Sequence, residues 1–377
     1  MKISILVFGR YHSFDLANGL NKEVNKVKLI TSFPNFKVKQ WGVLNSRVIT
    51  LPIFEYLNRS LVFFKLNHLI PETYIKKCFN FIANYYLKGS DVVIGWSSCS
   101  LPSIIKNPNS IFILERGSAH YSSQMNLIIE EYSKYNLEFK PDYNSWKQEL
   151  LEYELCDYIS VPSNFVKETF ISNGIAESKI FLNPYGCNLA EFFPKEKKDD
   201  KFRVIFCGLG SIQKGFHVLL QAIELLAEDG LDIELLHVGG VEDNIDFFLE
   251  KCSNINYNPV GVVAQSKLRE YYSQSSVFVL PSIQDGFGMV ITQAMACGLP
   301  IIVSENTGGP DILNIESGCG FSVIPGDVVD LKNRLFWCYN NQDECRKMGK
   351  LSLNLIKQNF SWDEYAKKYS DFLTRLK

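Results

Sequence analysis

Short apolar runs recur along this chain, each closing in a glycine, a Pro-Ser pair or a polar loop, and most followed by residues at helical spacing. The first set covers residues 3–8, 28–30, 48–52, 91–95, 110–114 and 158–161. The second covers 202–207, 233–238, 277–280 and 301–304. A run this short with no polar alternation predicts a strand buried on both faces. Helical patterns stand between the runs, from Ser13 with Phe14, Ala17 and Leu20 on one face, and over 60–88, 143–156, 216–227, 289–297 and 361–377. Strands alternating with helices stack as βαβ units around a parallel sheet. The alternation stops once. Asn183-Pro-Tyr-Gly-Cys187 leads into Phe193-Pro-Lys-Glu-Lys-Lys-Asp-Asp-Lys201, a charged stretch without periodicity. The expected organisation is therefore α/β, with one Rossmann-like domain over 1–184, a linker over 185–201 and a second over 202–360. A length of 377 residues suits two domains. Two such domains facing each other make a cleft, and parallel strands present ligands at their carboxyl ends.

Composition narrows the class. A hydrophobic fraction of 46% excludes an intrinsically disordered chain, and a net charge of −2 excludes a general neutraliser of nucleic acid. The charge is unevenly spread: residues 1–110 hold 14 Lys+Arg against 5 Asp+Glu, and the remainder is acidic. A basic first third points to an anionic partner. The ten cysteines form no CxxC pair and no zinc-finger spacing, which reads as reduced thiols of a cytoplasmic protein. The opening residues lack a signal-peptide cleavage pattern, and no apolar stretch reaches membrane-spanning length. Residues 61–88 interleave Phe63, Phe64, Tyr74, Phe79, Phe81, Tyr85 and Tyr86 with Lys65, Lys76, Lys77 and Lys88. That mixture suits the headgroup level of an anionic membrane, and equally an amphipathic helix whose aromatics enter the core.

The most informative stretch is Pro281-Ser-Ile-Gln-Asp-Gly-Phe-Gly-Met-Val-Ile-Thr-Gln-Ala-Met-Ala-Cys-Gly-Leu-Pro300. A buried strand ends before it. Asp285 then precedes Gly286, Phe287 and Gly288 at the mouth of a helix, and Gln293 lies about a turn and a half inside. Glycines let backbone approach a ligand, and the first helical turn offers free N–H groups to a diphosphate. The plain alternative is a strand–turn–helix junction with Asp285 as N-cap.

This stretch resembles the signature of glycosyltransferase family 4, the retaining, nucleotide-sugar-dependent enzymes of GT-B fold. The family reads Pro-Ser, Glu-Gly-Phe-Gly, four residues, then Glu-Ala-Met-Ala-Cys-Gly-x-Pro. Here Asp285 and Gln293 stand where the glutamates usually are. Residues 204–208 through Lys214-Gly215 resemble the family's diphosphate loop, with Gly210 inside it and Leu209 in place of the usual arginine. Val238-Gly-Gly240, Asn258-Pro-Val-Gly261 and Ser304 through Pro310 resemble its later strand-end loops.

The resemblance implies two facing Rossmann-like domains. The second would hold a UDP- or GDP-linked sugar and the first a glycan or lipid-linked acceptor, with the 361–377 helix returning to the first domain. Lys214 and the glycine turn would take the diphosphate without a metal or other cofactor. Asp285 would meet the sugar hydroxyls near the anomeric centre, and Gln293 the ribose. Cell-surface polysaccharide or glycoconjugate synthesis, in the cytoplasm or on the cytoplasmic face of the membrane, is the implied setting.

In the first domain, Gly9-Arg10 forms the first strand–helix junction. Only one glycine is present, so a dinucleotide-binding GxGxxG turn is excluded. Arg10 is expected to contact a phosphate or the acceptor, while His12 reads as a cap or packing residue. The strand at 111–115 delivers Glu115, Arg116 and then His120 toward the cleft, where the family places a histidine beside the transferred sugar. Arg116 and His120 are accordingly candidates for catalysis. The plain alternative is a Glu115–Arg116 ion pair with an exposed His120. The Asp and Gln replacements also keep open a non-catalytic nucleotide-sugar-binding subunit. An epimerase or phosphorylase of GT-B fold is disfavoured by the long signature match.

Overall fold

The computed structural model describes residues 1–24, 27–43, 47–66 and 68–376. Asn67 and Lys377, which fall within the expected 60–88 and 361–377 helices, lie outside the described residues. The first sheet runs β1 (Ile3–Val7), β2 (Val27–Thr31), β3 (Arg47–Thr50), β4 (Val92–Trp96), β5 (Ile111–Glu115), β6 (Tyr158–Val161) and β7 (Ile180–Leu182) along the chain. Its spatial order is β3-β2-β1-β4-β5-β6-β7. The second sheet runs β8 (Arg203–Cys207), β9 (Glu234–Val238), β10 (Asn256–Pro259), β11 (Val277–Leu280), β12 (Ile301–Ser304) and β13 (Gly320–Val323), ordered β10-β9-β8-β11-β12-β13. Every pairing is parallel. Every residue of β1, β4, β8, β9, β11 and β12 is buried, because helices cover both faces.

Strand order reverses between β1 and β4 and between β8 and β11. At such a switch the flanking loops leave in opposite directions and open a crevice at the carboxyl ends. Gly9-Arg10 follows β1, Ser97-Ser98 follows β4, Gly208–Gly215 follows β8 and the Pro281–Gly288 turn follows β11. The chemically loaded loops of both halves therefore lie at the switch points.

The chain crosses between the halves twice. Residues 183–202 hold no helix and no strand apart from the isolated bridge of Cys187 to Ser361. Tyr185, Cys187 and Phe192 are nonetheless buried, because this segment runs through the crevice rather than over the surface. The return crossing breaks a helix at Phe360-Ser361. The Gln342–Asn359 helix packs on the Met289–Ala296 helix, where a Cβ on Gly349 would meet the Gly298 carbonyl at 2.0 Å. Ser361 then caps the Trp362–Arg375 helix by accepting from Glu364 N at 3.1 Å. That last helix lies against the Ser13–Val24 helix of the first half.

The 60–88 segment is two helices, Pro52–Phe63 and Glu72–Leu87, separated where Lys65 takes a φ of 56° and Pro71 restarts the chain. Of its aromatics Phe79 enters the core, Tyr86 is half-buried, and Phe63, Phe64, Tyr74, Phe81 and Tyr85 stay exposed. Nine of the ten cysteines are buried, and all are free thiols.

A Cβ at Gly19 would lie 2.1 Å from the Ala366 Cβ, so the first and last helices touch backbone to side chain. Gly19→Val should lower unfolding free energy by about 1–3 kcal/mol through this overpacking. A urea midpoint equal to that of the parent would show that the contact yields freely.

Candidate functional site

A cavity of about 920 Å³ opens between the two sheets at their carboxyl ends. The β1 loop contributes Arg10, Tyr11 and His12, and the β4 and β5 ends contribute Trp96, Ser98, Glu115 and Arg116. Tyr185 and Phe192 come from the first crossover, Trp362 from the second, and Met289 and Gln293 from the helix behind the glycine turn. Tyr11 and Ser98 hold φ values of 44° and 69°, strained for residues with side chains. Tyr11 thereby stacks on Trp96 at 6.4 Å.

On the second-domain side, beside the cavity but outside its lining, Lys214 Nζ lies 2.6 Å from Asp285 Oδ2. These residues are 71 positions apart in sequence. Asp285 is not the cap of the following helix; that position is Gly288, in the left-handed region at φ 76°. A Cβ there would strike Leu280 at 2.7 Å. Gly286 sits against the other half, where an added Cβ would meet the Gly117 carbonyl oxygen at 1.9 Å. Ser163 Oγ donates to its carbonyl at 2.5 Å. Among the described residues, no protein acceptor takes the N–H groups of Gly286, Phe287 and Gly288. Gln293 faces the cavity, and its Oε1 accepts from the Tyr272 hydroxyl at 3.3 Å, so its amide NH₂ is the group left for a ligand.

Two expected contacts on this side turn out to be packing. Phe287 is 2% exposed and its ring abuts Tyr185, so only its backbone can reach a ligand. Gly210 donates to the Gly240 carbonyl and accepts from Glu242 N, which spends its polar groups on the neighbouring loop after β9.

On the first-domain side the central group is Glu115, 1% exposed. His12 Nε2 lies 3.0 Å from its Oε2. Tyr369 donates to Oε1 at 2.8 Å and Tyr365 to Oε2 at 3.3 Å. Burial first, and the Glu115 charge next, drive both phenols far above their ordinary range. His12 is thus a cavity residue gripped by a carboxylate and ringed by Trp96, Tyr185 and Trp362, which is more than the loop packing expected of it. Arg10 lies over the Trp41 ring at 3.2 Å, with Asp15 at 3.7 Å. Its buried Nε has no partner among the described residues. Burial holds its pKa below the ordinary value against the pull of Asp15 and Glu191.

Arg116 does not pair with Glu115. It bonds Glu149 at 2.7 Å, the Ala119 carbonyl through Nε and Nη2, and Gln124. Its guanidinium is occupied in holding the 116–120 loop, although it touches the cavity wall. His120 is neither exposed nor in the cavity: it is 4% exposed and wedged between Tyr153 and Phe170. Its strand-end position aimed it at the cleft, but the turn through Gly117 and Ser118 carries it behind the wall. Its pKa falls to about 4, through burial first and the Arg116 charge second.

The aromatic wall was not legible as a site. Trp41, Trp96, Tyr185 and Trp362 lie far apart in sequence, and no spacing links them. The Asn183-Pro-Tyr-Gly-Cys stretch was the one available signal, since a buried tyrosine in a crossover marks a crevice. No group of three or more His, Cys, Asp or Glu side chains is gathered for a metal among the described residues.

Residues 189–353 match the family of group 1 glycosyl transferases. The chain is similar to the capsular polysaccharide biosynthesis glycosyltransferase CapM of Staphylococcus aureus, 26% identical over 58% of this chain and 62% of that protein. It is also similar to the MMP alpha-(1->4)-mannosyltransferase of Mycolicibacterium hassiacum, 23% identical over 58% and 54%. The matched regions thus span just over half to about six tenths of these curated relatives. Among solved structures, sucrose-phosphate synthase from Thermosynechococcus elongatus superposes with a TM-score of 0.72 at 19% identity, over 100% of this chain and 99% of that one. Anabaena HepE in complex with UDP and glucose gives 0.69 at 16%, over 99% of each chain. At these identities the structural likeness concerns the fold.

The buried His120 makes acid stability a readout of this wall. With a folded pKa near 4 and an ordinary value of 6.5, the unfolded chain binds the extra proton. Its contribution is complete above pH 6.5 and is lost as pH falls toward 4, by as much as ~3 kcal/mol. His120→Leu should flatten that part of the stability curve, measured as urea midpoints at pH 7.5 and 4.5. Equal slopes in variant and parent would show that His120 is free to charge in the folded chain.

Proposed function

The chain belongs to the GT-B superfamily of glycosyltransferases, family 4-like, and from that premise we propose that it moves a sugar, with retention of anomeric configuration, from a nucleotide-diphosphate sugar to a glycan or lipid-linked acceptor in polysaccharide or glycoconjugate synthesis. The observation that carries this reading is the meeting of Lys214 and Asp285 at 2.6 Å beside a glycine turn whose N–H groups have no acceptor among the described residues. That arrangement offers separate binding groups for an anion and for hydroxyls.

The leaving diphosphate lies on the turn at the N-terminus of the Met289–Ala296 helix, where backbone N–H groups and the helix dipole favour negative charge. Lys214 exchanges its bond to Asp285 for one to the phosphate oxygens. Asp285 is then released to accept from the sugar hydroxyls, and its charge supports the electron-poor anomeric carbon as the diphosphate departs. Gln293 donates its amide to the ribose. The aromatic wall gives sugar rings apolar platforms, and Arg10, with one buried N–H unspent, takes a charged or hydroxyl group of the acceptor. The charge of the diphosphate is met by protein groups, so the reaction runs without a metal.

On this reading the acceptor side works at an anionic membrane. No helix among the described residues is long and apolar enough to cross one. The tips of the Pro52–Phe63 and Glu72–Leu87 helices instead expose Phe63, Phe64, Leu69 and Tyr74, 61–80% accessible. Lysines stand over nearby rings, Lys77 on Tyr74 and Lys106 on Phe81. Apolar rings beside cations match the headgroup layer.

Lys214→Ala should weaken UDP or GDP binding by roughly 1.5–3 kcal/mol and leave uridine or guanosine binding nearly unchanged, read by calorimetry. Asp285→Asn should keep donor affinity and lose at least tenfold in turnover, about 1.4 kcal/mol of barrier. Parent turnover should persist in EDTA. Full activity in Asp285→Asn overturns its role, and tight donor binding without transfer to any acceptor offered, cell-extract lipids included, points to the non-catalytic subunit. Phe63→Ser with Phe64→Ser should reduce cosedimentation with phosphatidylglycerol vesicles several-fold; unchanged cosedimentation removes the tip from the membrane.

A further inference from the structure

A second cavity, of about 520 Å³, lies at the opposite end of the first sheet, under the amino ends of β1, β2 and β3. Each strand here is about five residues, so it sits roughly 17 Å from the cleft. Its wall carries Lys2, Lys28, Arg47 and Lys88 and, among the described residues, no acidic side chain. The parallel register forces this crowding. Ser4 pairs with Lys28, and Lys28 with Arg47, so the basic positions fall on adjacent strands at one level. Lys88 is brought in by the Gly89 turn that ends the Glu72–Leu87 helix.

The cations are not there to satisfy carboxylates. Among the described residues, no salt bridge joins the side chains of Lys2, Lys28, Arg47 or Lys88 to an acidic group. Asp91, the nearby carboxylate, bonds the backbone N of Lys2 at 2.6 Å and stands 3.9 Å from the N-terminal amine. Lys28 is half-buried and spends one N–H on the Tyr86 carbonyl at 2.6 Å, leaving two. Burial first, then Arg47 and Lys2, hold its pKa below the ordinary value. Ser4 and Ser90, hydrogen-bonded to each other at 2.7 Å, add hydroxyls to the wall. Like charges gathered around a concave space repel, and a bound anion removes that cost.

We propose that this cavity binds a phosphate-bearing anion, with Arg47, Lys28, Lys88 and Lys2 as its ligands. The volume falls within the range of small-ligand sites. Arg47 supplies the planar two-pronged contact and the lysines supply point charges. The anion is either a free phosphorylated metabolite or a phospholipid headgroup, since the oxygens presented are the same. The site is separate from the cleft and shares no lining residue with it.

The probe is labelled inorganic pyrophosphate, in equilibrium dialysis with the full chain. Three proteins are compared: the parent, Lys214→Ala, and the double variant Arg47→Glu, Lys88→Glu. Both positions of the double variant are exposed, and a matched thermal midpoint confirms folding. Arg47→Gln with Lys88→Gln serves if charge reversal disturbs it. A binding event that persists in Lys214→Ala, weakens at least tenfold in the double variant and fades as salt rises supports the site. Pyrophosphate binding that is unchanged in the double variant, or that Lys214→Ala alone abolishes, overturns it and leaves the glycosyltransferase reading untouched. Loss of donor binding in Lys214→Ala with this site intact separates the two claims in the other direction. The source follows from competition. Displacement by monomeric dihexanoyl phosphatidic acid below the concentration needed of inorganic phosphate identifies a headgroup site, and the reverse order identifies a free anion.

Discussion

The buried carboxylate of Glu115 organises the candidate site. A carboxyl group at 1% exposure is costly unless several hydrogen-bond partners reach it. Its partners come from both ends of the chain: His12 from the loop after the first strand, Tyr365 and Tyr369 from the last helix. The first-domain wall therefore closes only when the chain has returned from the second domain. Gly19 permits that return by letting the Ser13–Val24 helix meet Ala366 at backbone distance. One satisfied carboxyl group thus links the fold's connectivity to the shape of the cavity.

Polar contacts join the two halves, one of them at Ser118 in the cavity wall. Gln284 donates to Ser118 at 2.8 Å, Ser163 to the Gly286 carbonyl, and Asn164 bonds Asp311 through both its backbone and its side chain. His217, fully buried, meets Glu131 at 2.9 Å. That bond and the Lys134 contact hold the Glu131 carboxyl below its ordinary range although burial pushes it up. Aromatic contacts cross as well, with Tyr135 packing edge-on against Phe248 at 4.9 Å, so the halves are joined by both polar and apolar contacts.

Much of this was legible in the linear chain. Buried parallel strands need uninterrupted apolar runs, so ten of the thirteen strands announced themselves. The three that did not, β7, β10 and β13, are short or polar strands at or near the sheet margins, and Asn256–Pro259 carries no apolar run at all. The 281–300 stretch located the glycine turn because a tight turn with a left-handed residue demands glycines in contiguous order. The same reasoning misassigned side chains whose direction depends on packing. Phe287 belongs to the core, Arg116 answers Glu149 rather than Glu115, and His120 lies behind the wall.

The sequence by itself determined what is local: which segments are strands, where glycine lets backbone approach a ligand, and which loops carry charge. It also determined that the first third is basic. Tertiary structure alone decided which of those charges meet. Lys214 found Asp285 across 71 positions, and Glu115 found Tyr369 across 254. The basic first third resolved into a cavity of four cations because the register set Lys28 beside Arg47, while the start of β1 and the Gly89 turn brought Lys2 and Lys88 to the same wall. Contiguous patterns report backbone conformation, which each residue largely chooses with its neighbours. Side-chain partnership is settled by burial, and burial exists only once distant segments have been brought together.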